Sequence, residues 1–394
     1  MGNSMKIAFF SNFLNHHQLP LCRAFLAKTD VEFVFVATEP IAKDRLAMGY
    51  EDMNAYPFVL RTYESKENEA MATHIAESYD LVIFGATPKT YIQSRMEKNL
   101  LSFRFCERSL KKGAWRRFIP RTRKKIHEEY IRYKDKNLYI LGASAYTAHD
   151  LVLCGFDKEK CFKWGYFPEI RQKDVEKLLE EKEKDPKIEI LYAGRLLKLK
   201  RVIDAVKAVH LLVKQGIKNI HFTVIGDGEE KPKLQAYVEN HGLQEYISFL
   251  PFISPEEVRK YMDKANIYIF SSNFYEGWGA VVNEAMNSAS SLLVSHAVGS
   301  APYLIEQGEN GFVYECGNVK DLSSKLKRLV ESKELRYNVG KNAYHTLTEL
   351  WNADVAADRF LMLCEKLKNS EKPIWDEGPC SKAKIIKNNW MKQG

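Results

Sequence analysis

Short, unbroken apolar runs alternate with amphipathic stretches along most of this chain. Residues 6–12 begin Lys-Ile-Ala-Phe-Phe and end in polar turn residues, and a helical spacing of Leu19, Leu21, Phe25 and Leu26 follows, which predicts strand, loop and helix. Runs of the same kind recur at 31–37, 80–86 and 137–141. Because they are continuous rather than alternating, they predict strands covered on both faces, as in a parallel sheet. After a mostly charged stretch, 172–186, that ends in Pro186, the alternation restarts. Strands are predicted at 188–193, 221–225, 247–250, 267–270 and 292–295, with helices over about 202–215, from Lys231 and after Ser254. Ser254 and Glu257 have capping-box spacing, with Pro255 at the first helical position. Residues 321–367 are helical in period, and the stretch from Glu371 is polar with Trp375 and Trp390.

Two α/β halves separated by a charged stretch predict two Rossmann-like parallel-sheet domains facing a cleft: 1–170, a connector over 171–186, and 187–370. A tail over 371–394 follows, with packing back on the N-terminal domain as one expectation. Ligands of open α/β sheets bind at the carboxyl ends of the strands, so the expected site lies between the halves. The length of 394 residues and the 45% hydrophobic content exclude a single small module and a disordered chain. The longest apolar runs, 81–86 and 151–156, are far shorter than the roughly 20 residues of a spanning helix. No signal-peptide pattern opens the chain. The seven cysteines are scattered with no C-x-x-C pair, so neither a disulfide framework nor a zinc site is predicted, and a reducing, cytoplasmic setting is expected. No Asp-x-Asp pair ends a strand, so no bound metal is predicted.

Candidate chemistry clusters in three loops that each follow a predicted strand. The first runs from Gly194 through Arg195 to Lys200 and Arg201: a sharp turn, then cations suited to a diphosphate, Arg by forked donors and Lys as a point charge. The second holds Gly226, Asp227 and Gly228, whose glycines suit close backbone approach or simply a turn. The third, 271–286, places Glu276, Gly277, Trp278 and Gly279 in a loop and Glu284 in the following helix, whose free N–H groups favour an anion. Each is also compatible with an ordinary solvated loop.

Taken together, Gly194-Arg195-Leu196 with Lys200, Ile225-Gly226-Asp227-Gly228, Glu276 and Glu284 seven residues apart, Gly299 with Glu306, and Asn310-Gly311-Phe312 resemble the C-terminal half of retaining GT-B glycosyltransferases of family 4 (glycosyl transferases group 1). The resemblance spans roughly 188–315. It implies a donor domain at 187–370 and an acceptor domain at 1–170, with a UDP- or GDP-linked sugar as donor substrate and no required cofactor. Carried over by position, Arg195 and Lys200 would bind the diphosphate, Glu284 the ribose and Glu276 the sugar hydroxyls, with the backbone near Phe252 beside the base and Gly194, Gly226 and Gly277–Gly279 lining the donor. The implied catalytic set is Glu276, Arg195 and Lys200, with His16 or His17 as candidates. The first loop departs from the family by lacking glycine; its polar members are Asn12, His16 and His17. Many members of the resembled family place a histidine near the reacting sugar after a middle strand of the first domain; here the comparable strand, ending at Gly85, has none, so His16, His17 or neither takes that role.

Charge adds one feature. Residues 108–136 hold 12 Lys or Arg against 3 Asp or Glu, more than the whole chain's net charge of +8. Ile119, Ile126, Tyr130 and Tyr133 follow a helical spacing with cations between them, after Trp115 and Phe118. Two readings stand: Trp115, Arg116, Arg117, Lys124 and Lys125 touch an anionic membrane or the acceptor, or the apolar side packs inward and the cations are solvated. No recognition module for nucleic acid accompanies the charge. The resulting expectation is a retaining glycosyltransferase acting on a glycan or lipid-linked acceptor in surface polysaccharide or glycoconjugate synthesis, cytoplasmic or peripheral at the inner membrane face. Its rivals are another GT-B activity (nucleotide-sugar epimerase or phosphorylase) and a silent nucleotide-sugar-binding protein.

Overall fold

A computed structural model describes residues 4–43, 46 and 51–392. The chain divides into two compact units, one of residues 1–169 with 352–387 and one of 170–351 with 388–394.

In the first unit seven parallel strands lie in the order β3-β2-β1-β4-β5-β6-β7: β1 Met5–Ser11, β2 Val31–Ala37, β3 Val59–Arg61, β4 Leu81–Phe84, β5 Ser102–Cys106, β6 Leu138–Gly142 and β7 Cys161–Lys163. Alternate side chains of β1 enter opposite layers. Ala8 and Phe10 pack with Ile75, Phe84, Tyr91 and Met96, while Phe9 meets Phe35 and Phe105 on the other face. Sequence periodicity missed β5 because Arg104 interrupts it. That guanidinium is buried, donating to Gly85 O at 2.8 Å, and lies 5.9 Å from the Tyr130 ring centroid.

The first unit also takes in residues 352–370, which the expected boundary at 370 places in the second domain. The helix Ala353–Lys368 inserts Phe360 between Phe25, Phe103 and Trp164, so it covers a face of this sheet and not of the second. Beyond it the chain runs antiparallel beside β7, with Cys380 N donating to Lys163 O (2.9 Å) and Lys163 N to Ser381 O (2.8 Å). An otherwise open edge is thereby paired.

The second unit has six parallel strands in the order β10-β9-β8-β11-β12-β13: β8 Ile188–Ala193, β9 Ile220–Ile225, β10 Ile247–Leu250, β11 Ile267–Phe270, β12 Ser291–Ser295 and β13 Phe312–Tyr314. The capping box at Ser254 forms, with Glu257 N donating to Ser254 Oγ and Ser254 N to Glu257 Oε2 (3.3 and 3.1 Å). The charged stretch 172–186 is no free connector. It contains the helix Val175–Lys182, whose Leu179 packs with Ala289 and Tyr344. The C-terminal helical region resolves into Val319–Glu331, Lys333–His345 and Ala353–Lys368, with a π-helical turn at Thr346–Leu350.

Two buried cations take the place of apolar packing. Arg95, fully buried, donates to Ser102 Oγ and to the carbonyls of Ala76, Tyr79, Asp80 and Leu101 at 2.7–3.1 Å. It thus ties the end of the helix Lys66–Ser78 to the starts of β4 and β5. Lys182 Nζ donates to Ala265 O (2.6 Å), Ser290 Oγ (3.1 Å) and Met262 O (3.2 Å), and burial pushes its pKa down to about 7. Arg95→Met is expected to destabilise the protein by about 3 kcal/mol or more in urea unfolding, since it leaves several buried carbonyls without a donor. For Lys182 the folded pKa is below that of the unfolded chain, so the unfolded state binds more protons between about pH 7 and 10, and the stability of the native protein relative to Lys182→Met should rise across that window. Unfolding curves at a series of pH values for both proteins measure this difference.

Candidate functional site

In the second unit the strands β9, β8 and β11 are neighbours in a parallel sheet, so their following loops emerge side by side. The loop after β8 is threaded between the other two. On one side Gly194 N donates to Ile225 O (3.0 Å), Leu196 N to Asp227 O (2.7 Å) and Glu230 N to Leu196 O (3.0 Å). The glycines of the second loop serve this approach. A Cβ on Gly226 would lie 2.0 Å from Gly194 O, and one on Gly228 2.5 Å from Leu196 O. It is the protein's own backbone that comes close here. On the other side Ser271 Oγ donates to Lys200 O (2.7 Å) and Asn273 N to Leu199 O (2.9 Å).

This clamping brings the two most informative sequence candidates into contact. Lys200 Nζ forms an ion pair with Glu276 Oε2 and lies 5.1 Å from the Phe270 ring centroid. Ser272 Oγ donates to the same Glu276 oxygen at 2.8 Å. Arg201 is engaged differently: in a left-handed conformation (φ 49°) it precedes the helix Val202–Lys214 and pairs through two nitrogens with Asp204 (2.7 and 3.1 Å). Arg195 is exposed on the loop. Beneath the loops Tyr268 OH donates to Ala193 O at 3.1 Å and is fully buried. Burial raises its pKa, and the carboxylates of Glu284 and Glu276 raise it further. Burial likewise raises the Tyr192 hydroxyl, which also feels Tyr268, Glu276 and Arg195.

Glu284 sits in the helix Val281–Asn287. Burial pushes its carboxyl above the ordinary range, opposed by Arg259 and Arg171. Trp278 departs from its expected place: its indole is buried against Trp351 and Tyr303 (6.0 and 6.2 Å) and donates to Asn283 Oδ1 at 2.9 Å. Its side chain serves the core. Gly277 is buried beside it, Gly279 has φ 81°, and Phe252, 53% exposed, follows the edge strand β10. Sequence reasoning missed Ser271, Ser272, Tyr192 and Tyr268, although a Ser-Ser pair directly after an apolar strand was a usable sign.

The first unit gathers polar residues at the carboxyl ends of β1 and β5. Asn12 follows β1 and accepts from Ser11 Oγ at 3.2 Å, and the His16 and His17 rings are 3.7 Å apart. Tyr166 lies 5.9 Å from the His17 ring and donates to Glu107 at 3.1 Å. In the basic segment the helix is confined to Pro120–Glu129, after a 3-10 turn over Ala114–Phe118. Ile126, Tyr130 and Tyr133 are buried, while Trp115 (60%) and Phe118 (71%) are exposed. Arg116 and Arg117 sit 5.8 and 4.4 Å from the rings of Trp115 and Phe118, and the Lys124 and Lys125 side chains extend into solvent. No helix among the described residues is long and apolar enough to cross a membrane.

Residues 174–346 match the family model of glycosyl transferases group 1. The chain is 27% identical over 170 residues to the alpha-D-kanosaminyltransferase of Streptomyces kanamyceticus, covering 43% of each chain. It is also 27% identical over 225 residues to the amylovoran biosynthesis glycosyltransferase AmsK of Erwinia amylovora, covering 55% of this chain and 53% of that one. It thus spans about half the length of these curated relatives. The crystal structure of Anabaena HepE in complex with UDP superimposes with a TM-score of 0.66 at 16% identity, over 93% of this chain and 100% of that one. The chain therefore has the GT-B fold, and its second unit, where Lys200 meets Glu276, carries the match to glycosyl transferases group 1.

Proposed function

We propose that this protein is a retaining glycosyltransferase that moves a sugar from a nucleoside diphosphate sugar, UDP- or GDP-linked, to a glycan or lipid-linked acceptor. The observation that carries the reading is the meeting of Lys200, Glu276 and Ser272 at the carboxyl ends of β8 and β11, within the segment matched by the family model. Anabaena HepE crystallised with UDP and with UDP-glucose supports a nucleotide-sugar donor, and AmsK supports a role in polysaccharide synthesis.

In this reading Arg195 and Lys200 bind the donor diphosphate, Glu284 the ribose hydroxyls and Glu276 the sugar hydroxyls. The bond from the anomeric carbon to the phosphate oxygen breaks as the acceptor oxygen bonds to the same face of that carbon. The acceptor proton passes to the departing diphosphate. Negative charge grows on the diphosphate as it leaves, so Arg195 and Lys200 bind the transition state more strongly than the ground state, which lowers the barrier. Glu276 is a positioning group for the sugar in this scheme, and its contribution is orientation. In the first unit, Asn12, His16 and His17 are the acceptor-side candidates. The exposed Trp115 and Phe118 with Arg116, Arg117, Lys124 and Lys125 favour contact with an anionic membrane surface carrying a lipid-linked acceptor.

Arg195→Ala and Lys200→Ala are each expected to weaken UDP or GDP binding about tenfold or more by calorimetry, the scale of a lost charge-assisted hydrogen bond. Glu284→Ala should weaken the nucleotide and leave inorganic pyrophosphate unaffected. Wild-type nucleotide affinity in both cation variants would overturn the assignment.

For the membrane contact, each basic residue near an anionic bilayer contributes about 1 kcal/mol. The protein should therefore sediment with anionic vesicles at low salt and release at high salt, and replacing Arg116, Arg117, Lys124 and Lys125 by Ser should abolish sedimentation. Wild-type protein that ignores such vesicles at low ionic strength would leave these cations as a solvated face.

A further inference from the structure

Glu276 and Lys200 satisfy each other as an ion pair. Lys200 Nζ and Ser272 Oγ share the single oxygen Oε2 of Glu276, and Oε1 accepts no hydrogen bond among the described residues. Both side chains are largely shielded, at 14% and 15% exposure. The attraction is therefore screened less than at an open surface. The backbone of Lys200 is held at its carbonyl by Ser271 Oγ, so the cation moves only by its side chain. Its neighbour Arg201 is committed to Asp204 through two nitrogens within the first turn of a helix, a geometry that does not depend on any ligand. Lys200 is thus the cation whose partner can be exchanged.

We propose that the Glu276 carboxylate competes with a donor diphosphate for Lys200, and that Ser272 is the positioning residue that retains Glu276 once Lys200 has changed partners. The inference rests on the reading of Lys200 as a diphosphate ligand. A diphosphate entering the site displaces one anion by another, and the Glu276 carboxylate is released with Ser272 still donating to it. A free nucleoside diphosphate or pyrophosphate gives the released carboxylate nothing to accept. A donor bearing a sugar supplies hydroxyls that do. Glu276 therefore opposes binding of the anion alone and favours binding of the complete donor, which discriminates the sugar nucleotide from the product nucleotide in one site.

Calorimetry with inorganic pyrophosphate and with UDP, together with turnover on a competent donor, tests this. Glu276→Gln should bind pyrophosphate roughly three- to tenfold more tightly than wild type, the scale of a partly shielded ion pair, while its turnover falls. In a Lys200→Ala background the gain should vanish, because no exchange remains. Ser272→Ala should leave pyrophosphate affinity within about twofold and lower kcat more than it raises KM, and Ser272→Thr, which keeps the hydroxyl, should restore kcat. A change of fold alone would not raise affinity in one variant and abolish that gain in another. Unchanged or weaker pyrophosphate binding by Glu276→Gln, with Lys200→Ala still weakened, overturns the exchange and leaves the donor reading standing. Undiminished pyrophosphate binding by Lys200→Ala overturns the donor reading of Lys200, and the exchange with it.

Discussion

The candidate site depends on one loop being gripped from both sides. Gly194–Arg201 leaves β8 between β9 and β11, and its backbone is bonded to the β9 loop at Ile225, Asp227 and Glu230 and to the β11 loop at Ser271 and Asn273. A loop held at one end would leave a lysine side chain many rotamers to sample. Here the main chain of Lys200 is fixed, and the ordering entropy that an ion pair must overcome is correspondingly smaller. The two glycines after β9 belong to this clamp. Any side chain at Gly226 or Gly228 would strike the carbonyls of Gly194 and Leu196 and force the loops apart.

Both units bury charge at the amino-terminal ends of their sheets. Arg95 gathers four carbonyls and a hydroxyl, and Lys182 gathers two carbonyls and a hydroxyl, neither relying on a direct carboxylate partner. Each cation satisfies acceptors that chain ends leave open when helices and strands terminate inside a protein. The carboxyl-terminal end of the second sheet is different in kind. There Lys200 and Glu276 neutralise one another as an ion pair, and the buried phenols of Tyr192 and Tyr268 feel the Glu276 charge.

Most of the alternation of strand and helix was legible because central strands covered on both faces need continuous apolar runs, as at 81–84 and 267–270. Four other strands were not. β3, β7 and β13 have three residues each, and β5 carries a buried arginine, so none has a periodicity that stands out from loop sequence. The charged stretch 172–186 looked like a solvated connector because the buried residues of its helix are only Val175, Leu179 and Lys182, and one of those is a lysine. Trp278 looked like part of a ligand loop from its glycine neighbours, yet the core around Trp351, 73 positions later, claims its indole.

By itself the sequence determined the two-sheet α/β architecture, the capping box at Ser254 and the identity of Arg195, Lys200, Glu276 and Glu284 as candidates, because each follows from local periodicity, from residue type in a loop after a strand or, for Glu284, from its place in the helix that such a loop enters. Tertiary structure alone decided that Lys200 and Glu276, 76 positions apart, are partners. It also decided that Ser272 holds the same carboxylate and that the helix Ala353–Lys368 packs on the first sheet and not the second. The reason is physical: local pattern fixes which face of an element is apolar and which residues end a strand. Which elements meet is set by the parallel strand order and by complementary packing of surfaces far apart in the chain, and neither leaves a mark in any short window of sequence.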